Sequence, residues 1–266
     1  MRHSPITEFA LLARLPDDAL DLERLVLSVA RLGTPNLDTE AVRRDLDRLA
    51  DRVADDVSPS APPDRLAAAL GRAIGGTLGF RGDPEAFGSP EASYLDHVIA
   101  RRTGLPILLA IVWMRIGARV GVPISGIGYP GHFLARLELP GAPLYVDPFS
   151  GGAPVEASDL LARLPPSAPR ALLDPSPTRA IVTRVLTNLK HLHIDRGDNG
   201  AGLAVVDRLL LLGGEVPAEL RDRGLLLLRL ARNAEGARDL ERYISLAPDA
   251  ADRSAVEAVL ARARRG

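Results

Sequence analysis

The sequence predicts an α+β protein in which helices come first, a small antiparallel sheet follows, and a helical segment ends the chain. Three observations predict this order. Apolar residues recur at helical spacing as far as Phe80, short segments with partial alternation follow Val120, and the part beyond Pro177 is helical again. Because helices and strands are segregated along the chain, the pattern favours α+β over α/β.

Three helices are predicted in the first 80 residues. The first runs from Asp17 to Gly33, and carboxylates at its start favour a helix N-terminus. Asn36 and Asp38 open the second helix. The third runs from Pro62 to Gly75, where two consecutive glycines weaken it.

The middle of the chain carries the next two predicted helices. Residues 81–90 are rich in turn formers and are predicted to form a loop. A short helix is predicted from Tyr94 to Arg102, and a longer apolar helix from Gly104 to Val120. Pro106 is tolerated in the first turn of that helix, because the amide that proline lacks would have no partner within the helix.

The predicted sheet consists of three consecutive strands. They are expected at Val122–Tyr129, His132–Leu139 and Leu144–Asp147, where segments are short and punctuated by glycine and proline. Residues 140–143 read Pro-Gly-Ala-Pro and form a natural connection between the last two strands. The sequence therefore predicts an antiparallel sheet.

A proline-dense linker and an internal repeat predict a second domain. Prolines concentrate in 164–169 and 174–177. Beyond them, residues 202–212 align with residues 236–246 at an offset of 34, which is the tetratricopeptide period. We therefore predict one domain at residues 1–170 and an all-α, tetratricopeptide-like domain at residues 171–266.

The composition bears on partners and location. The 33 basic and 34 acidic residues nearly cancel, so no overall field favours nucleic acid or anionic lipid. The best apolar run, Leu105 to Met114, is about half the roughly 20 residues of a membrane helix. The first residues lack a signal-peptide pattern, and no glycine-rich phosphate loop is present. We expect a cytoplasmic protein with no cofactor, no nucleic-acid partner and no membrane partner.

Several motifs together resemble a known bacterial family. In combination they look like the SirB-type proteins, which carry a transglutaminase-like domain followed by tetratricopeptide repeats. The motifs are Ser93-Tyr94-Leu95, Arg101-Arg102-Thr103-Gly104-Leu105-Pro106, Gly121-Val122-Pro123, Pro130-Gly131-His132-Phe133-Leu134 and Asp147-Pro148-Phe149-Ser150-Gly151-Gly152.

The resemblance implies a papain-like transglutaminase core with Cys, His and Asp at set positions. Its base position falls on His132 and its acid position on Asp147, while its nucleophile position falls on or beside Pro106. The chain contains no cysteine at all. Since a thiolate is the nucleophile in such sites, thiol chemistry is excluded and Pro106 marks a vacated nucleophile position.

Other chemistry for this site is left open by the sequence. Thr103 could supply a hydroxyl activated by His132, or it could simply cap the following helix. A metal would need three or four ligands, and His132 with Asp147 supplies two, with Asp96 or His97 as further candidates. We expect no metal site. His132 itself is either a base paired with Asp147 or a buried, hydrogen-bonded histidine.

The sequence supports three functional hypotheses. The first is a non-catalytic, transglutaminase-like protein that acts as an interaction or scaffolding module for a protein or peptide partner of unspecified identity. The alternative is a hydrolase or isopeptide-processing enzyme that uses a water, hydroxyl or metal with His132 and Asp147. In the third, the protein is an assembly adaptor and both side chains only hold the sheet together.

Overall fold

The computed structural model describes residues 5–165, 167 and 170–264. Its contacts group the chain into two compact units. One unit is Asp21–Ile181, and the other comprises the described parts of Met1–Leu20 and Val182–Gly266. The division of contacts thus falls at Ile181, whereas the domain boundary predicted at residue 170 stays a prediction. Residues 166, 168 and 169 of the predicted linker lie outside the described residues.

Helices dominate both units, and a small sheet lies in the unit Asp21–Ile181. The helices are α1 (Pro5–Ala13), α2 (Leu22–Ala30), α3 (Thr39–Ala54), α4 (Pro63–Leu70), α5 (Leu95–Arg101), α6 (Pro106–Arg119), α7 (Ala157–Ala162), α8 (Thr178–Asp195), α9 (Asn199–Gly213), α10 (Pro217–Arg229), α11 (Asn233–Leu246) and α12 (Arg253–Ala263). The strands are β1 (Arg81–Gly82), β2 (Thr103–Gly104), β3 (Ile124–Ile127), β4 (Leu134–Leu137), β5 (Leu144–Asp147) and β6 (Ala153–Val155).

Aspartate caps fix the starts of the early helices. The Asp38 side chain accepts a hydrogen bond from the Ala41 amide at 3.0 Å, so α3 begins where the sequence predicted. Asp21 caps α2 through the Arg24 amide at 3.1 Å. The predicted start at Asp17 is therefore wrong, because that residue lies in a separate 3₁₀ turn. Helices α1 and α7 were not predicted.

The sheet has the antiparallel order β3-β4-β5-β6. The three predicted strands are confirmed, although each of the first two is shorter than expected. Strand β6 was not predicted. The predicted loop at 81–90 is partly wrong, because β1 lies in it and pairs in parallel with β2, with Gly82 opposite Gly104. These pairings confirm the α+β class.

Helix α6 is the centre of the core of this unit. It packs against α3, α5 and the sheet strands β3 and β4. Its side chains are apolar nearly all round, and Trp113 is fully buried. A helix of this kind is stable only when other elements cover every face. The start of α6, where Pro106 lies, is therefore fixed by the core.

A turn after β5 packs main chain against main chain. Residues 71–77 continue α4 as a π-helix. A Cβ atom placed on Gly75 would lie 1.8 Å from the Gly151 carbonyl oxygen, and one placed on Gly152 would lie 2.4 Å from the Trp113 ring. Gly152 also has a φ of +85°, which favours glycine. The turn that follows Asp147 is thus held closely against the core.

The helical unit contains the predicted repeat. Helices α9 and α11 start 34 residues apart (199 to 233), and α10 packs against both. Gly224 of α10 and Gly236 of α11 let the two helices approach closely, since a Cβ on Gly236 would lie 2.8 Å from the Gly224 carbonyl oxygen. The tetratricopeptide-like arrangement predicted for this segment is confirmed.

Lys190 forms a closed polar cluster inside the helical unit. Its Nζ atom donates to Glu219 at 2.9 and 3.0 Å and to Asp222 at 2.8 Å. The lysine is only 4% exposed. Burial alone would lower the pKa of Lys190, but the two carboxylates outweigh burial and raise it. The charge is therefore fully compensated within the fold.

Across residues 5–165, 167 and 170–264, none of the helices has the length and apolar content of a membrane span.

Candidate functional site

An imidazole and a carboxylate meet at one edge of the sheet. His132 lies just before β4, and Asp147 is the last residue of β5. Because these strands are antiparallel neighbours, the start of one and the end of the other lie side by side. The His132 Nε2 and Asp147 Oδ1 atoms are 2.9 Å apart. The structure therefore brings together two of the residues that the sequence singled out.

Asp147 is held by further hydrogen bonds from the turn that follows it. Its Oδ1 atom accepts from the Phe149 amide at 2.9 Å, and its Oδ2 atom accepts from the Ser150 hydroxyl at 2.7 Å. Burial would raise the pKa of Asp147, but the bonds from His132, Ser150 and Phe149 outweigh burial and lower it. The carboxylate is thus ionised at neutral pH and fixed in orientation.

The His132 side chain is partly open to solvent. It is 29% exposed, against 15% for Asp147. The edge of its ring meets the Phe149 ring at a centroid distance of 6.1 Å. His132 is thus hydrogen-bonded and only partly buried, and whether it acts as a base or as a structural histidine stays a prediction. An imidazole oriented by a carboxylate and reachable from outside can exchange a proton with a bound molecule.

A cleft of about 500 Å³ opens beside the pair. Apolar residues of the sheet, of α7 and of the adjoining loops form most of its wall, and the exposed Arg163 adds a positive charge. Tyr129 is fixed there by a hydrogen bond from its hydroxyl to the Leu160 carbonyl oxygen at 2.9 Å. This volume lies in the range of small-molecule sites. The lining residues are Tyr129, Pro130, Gly131, His132, Leu134, Asp147, Val155, Leu160, Arg163, Leu164 and Pro165.

The vacated nucleophile position lies at the start of α6. Pro106 occupies the first helical position, Leu105 precedes it in an extended conformation, and no side chain caps the helix. Pro106 is buried. Among the described residues that line the cleft, neither Pro106 nor Thr103 is present. The role of Pro106 as a former nucleophile position stays a prediction.

Phe149 connects the pair to the start of α6. Its carbonyl oxygen accepts from the Gly82 amide at 2.7 Å, and its ring lies where a Cβ on Gly82 would clash. Gly82 pairs with Gly104, two residues before Pro106. The aromatic ring therefore lies between the imidazole and the strand pair that leads into α6.

The other candidates have different surroundings. Thr103 lies on β2, so its predicted role as a helix cap is wrong. The Asp96 Oδ2 atom accepts from the Thr34 hydroxyl at 2.8 Å, and His97 Nε2 lies 3.5 Å from that hydroxyl. Within the described part of the chain, no three His, Cys, Asp or Glu side chains are grouped to hold a metal ion.

Two residues of the site were missed by the sequence reasoning. Ser150 orients Asp147, and Arg163 lines the cleft. The sequence does contain a local pattern for Ser150. An aspartate followed closely by turn-forming residues commonly accepts hydrogen bonds from the next residues in the chain. Arg163 lies in the segment treated as the approach to a linker, and no local pattern indicates which side chains face the site.

A family model of the transglutaminase-like superfamily matches residues 40–187, more than half of the chain. The chain belongs to the transglutaminase-like superfamily. A tetratricopeptide repeat model matches residues 189–261 of this transglutaminase-like chain. The predicted order of a transglutaminase-like domain followed by tetratricopeptide repeats is therefore confirmed.

Curated relatives of this transglutaminase-like chain are named UPF0162 proteins. One from Xylella fastidiosa (strain Temecula1) is 41% identical over 182 residues, which is 64% of each chain. One from Vibrio cholerae is 29% identical over 181 residues, covering 64% of this chain and 66% of the relative. YchA of Escherichia coli (strain K12) is 25% identical over 180 residues, covering 65% and 67%. The match thus spans less than two thirds of the Xylella and Vibrio proteins.

No solved structure matches the chain.

Proposed function

We propose that this chain is a non-catalytic, transglutaminase-like protein that acts as an interaction or scaffolding module. One observation carries the proposal. Pro106 stands at the first position of α6, in a chain without cysteine, while His132 and Asp147 remain 2.9 Å apart. The histidine and the aspartate are thus present without the cysteine thiol that they would activate in a catalytic site.

The chemistry of acyl transfer supports this proposal. A thiol at a helix N-terminus is partly ionised, since the helix dipole and a nearby imidazole lower its pKa. The proline ring has neither a proton to lose nor a lone pair that can attack a carbonyl carbon. Removing the nucleophile from a triad hydrolase costs on the order of 10⁶ in turnover. A histidine–aspartate pair without a nucleophile is therefore suited to binding a partner and not to acyl transfer.

The repeat segment supports a protein partner. Repeats of this kind present helix faces to other chains, and α9 to α11 carry the 34-residue period. Around α10, arginines and acidic residues line a cavity of about 300 Å³. Arg238 lines this cavity and is exposed.

Turnover assays test the non-catalytic part of the proposal. The purified chain is incubated with glutamine-containing and isopeptide-linked peptides, and ammonia and free amine are measured. We expect the wild type and His132→Ala to give the same signal as buffer. Turnover by the wild type that His132→Ala abolishes, with an unchanged unfolding midpoint, would overturn the proposal.

Co-purification from the source cell tests the interaction part. Immobilised wild type, Arg238→Glu in the repeat segment and Arg44→Glu in the other unit are compared. Both arginines are exposed, so the two variants are matched in charge change. We expect partners to be retained by the wild type and Arg44→Glu but lost by Arg238→Glu. If all three chains retain the same partners, the repeat segment does not supply the binding face.

A second candidate function is a hydrolase or isopeptide-processing enzyme without a thiol. The cleft of about 500 Å³ beside His132 and Asp147 favours it, because an oriented imidazole there could take a proton from water. The water oxygen would then add to the amide carbon, and the amine would leave with the proton. The same turnover assays, repeated with divalent cations, decide between the two functions.

A further inference from the structure

The cleft beside His132 has an apolar floor that a ligand can reach. Tyr129, Leu134 and Leu160 line the cleft and are buried members of one hydrophobic cluster. Val155 and Leu164 pack against that cluster, line the same cleft and are only partly buried. Apolar surface is therefore open to solvent here, and covering it with an apolar group is favourable.

Arg163 is a cation of this cleft whose charge the fold does not pair. It lines the cleft and is exposed. Within the described residues, no carboxylate lies within ion-pair distance of its guanidinium, and this includes Asp159, four residues earlier on α7. A guanidinium binds a carboxylate through two parallel N–H donors. Arg163 is thus available to an anionic group of a ligand.

Asp147 does not offer a matching site for a cation. It is the acidic residue among the described residues that line the cleft, and its side chain is 15% exposed. Its oxygens already accept from His132, the Phe149 amide and the Ser150 hydroxyl. A ligand cation would therefore find a carboxylate that is already bonded, whereas a ligand carboxylate would find the unpaired Arg163.

Gly131 adds a main-chain donor to the same cleft. It lies in a turn that the His132 amide closes by donating to the Tyr129 carbonyl oxygen at 3.0 Å, and its φ is +71°. Gly131 is exposed, and its own amide meets no acceptor within the described part of the chain. A peptide carbonyl oxygen is the natural acceptor for such an N–H group. The cleft thus suits a ligand that has a peptide bond.

We infer that this cleft binds the C-terminal end of a partner chain whose last residue is apolar. The terminal carboxylate pairs with Arg163, the last side chain lies on the apolar floor, and a peptide carbonyl oxygen accepts from Gly131. Capture of a C-terminal carboxylate is a known mode of peptide recognition. The volume of about 500 Å³ lies within the roughly 300–1,000 Å³ of ligand sites. The inference rests on the proposed function as an interaction module.

Calorimetry with short peptides tests the inference. The full chain is titrated with N-acetylated tetrapeptides of three alanines followed by leucine, phenylalanine, aspartate or lysine, each as the free acid and as the C-terminal amide. We expect saturable binding of the leucine or phenylalanine acid. The amide should bind at least tenfold more weakly, because it lacks the charge that pairs with Arg163. The aspartate and lysine peptides should lose at least as much, because a charged side chain is unfavourable on an apolar floor.

Two outcomes of these titrations would contradict the inference. Equal binding of acid and amide would show that no carboxylate is recognised. No saturable binding of either apolar-ended acid would show that the cleft takes no chain terminus.

Variants of Arg163 locate the binding at this cleft. Arg163→Met keeps an unbranched apolar stem but removes the cation, and the residue is exposed, so the fold is retained. We expect binding of the apolar-ended acid to weaken at least tenfold. Arg163→Lys should lose less, because it keeps the charge without the two parallel donors. Arg72→Met, an exposed arginine outside the cleft, is the matched control and should bind like the wild type. Undiminished binding by Arg163→Met would place the peptide elsewhere and refute the inference.

A small acid separates a chain terminus from a free metabolite. The compound 4-methylpentanoate carries the side chain and the carboxylate of leucine but no peptide bond. We expect it to bind at least tenfold more weakly than the leucine-ended peptide, because it offers no carbonyl oxygen to Gly131. If it binds as tightly as the peptide, the cleft is a site for small apolar acids and the inference is wrong.

The inference and the proposed function fail in different ways. Absence of peptide binding, with partners still recovered by co-purification, removes the inference and leaves the interaction module standing. Binding followed by cleavage of the peptide, which mass spectrometry of the titrated sample would show, supports recognition at the cleft but overturns the non-catalytic function.

Discussion

The Lys190 cluster and the His132–Asp147 pair are both hydrogen-bonded groups of ionisable side chains inside a folded unit, yet they differ in how far solvent and a ligand can reach them. The Lys190 ammonium makes three bonds to two carboxylates, and its side chain is 6% exposed. Asp147 is equally well bonded, but the imidazole beside it is 29% exposed and faces a cleft of about 500 Å³.

This difference separates a structural role from a functional one. A buried charge whose bonds are all made within the fold stabilises the fold and offers a ligand nothing. An imidazole that is held by a carboxylate and partly exposed to a cleft can be reached by a bound molecule. Changes in the Lys190 cluster should therefore lower stability more than binding. Changes in the His132–Asp147 pair should lower binding more than stability.

The largest effect is expected for Lys190→Met. This change leaves Glu219 without the Lys190 cation in a buried setting and Asp222 paired with Arg221 alone, which costs about 3–5 kcal/mol of unfolding free energy. Urea denaturation measures the loss. Arg232→Ala, which breaks an exposed pair with Glu235, serves as control and should change little. If Lys190→Met is no more destabilising than the control, the Lys190 cluster does not stabilise the fold.

Gly152→Ala is expected to be nearly as destabilising. The added methyl group would lie 2.4 Å from the Trp113 ring at a φ of +85°, so overpacking and backbone strain together cost about 3 kcal/mol. Gly141→Ala is the matched control, because its φ is also positive but no atom lies within 4 Å. Equal unfolding free energies for the two variants would mean that the turn after β5 can move away from the core.

Asp147→Asn should have a moderate effect that depends on pH. Loss of the charged hydrogen bonds costs about 2 kcal/mol at neutral pH. Because the folded-state pKa of Asp147 lies below its ordinary value of 3.8, its contribution is complete above that value and is lost as the pH falls through the folded-state pKa.

Urea denaturation at a series of pH values measures the difference between the wild type and Asp147→Asn. We expect this difference to shrink as the pH falls below about 4. A difference that grows on acidification below about pH 4 would contradict the lowered pKa.

The smallest stability effect is expected for His132→Gln. Because the imidazole is partly exposed, water can replace its hydrogen bond to Asp147, so its removal should cost less than about 1 kcal/mol. Binding at the cleft should nevertheless be lost, which calorimetry with a co-purified partner would measure. A larger stability loss than for Asp147→Asn, with binding intact, would make His132 a structural residue like Lys190.

The fold was predictable where local patterns decide it. Helix α3 has a regular apolar stripe and an aspartate cap, and the repeat has an unmistakable period, so both were found. Strand β6 was missed because it contains Pro154, and proline is tolerated only at a sheet edge such as this one. Helix α7 is six residues long and adjoins a proline-dense stretch, so its local signal is weak.

The candidate site was predictable only in part, for a related reason. His132 and Asp147 lie at adjacent ends of consecutive strands, so the chain order itself suggests that they meet. Arg163 follows α7 in the chain, yet it lines the same cleft as His132. Only tertiary packing places them together, and no spacing rule indicates it.

The contact between Gly75 and Gly151 has one last consequence. Since main chain approaches main chain there, any side chain added at Gly75 would displace the turn that aims the Asp147 carboxylate. Retuning of this site without disturbing that turn, by natural drift or by a protein engineer, would therefore act through His132 and the walls of the cleft around it.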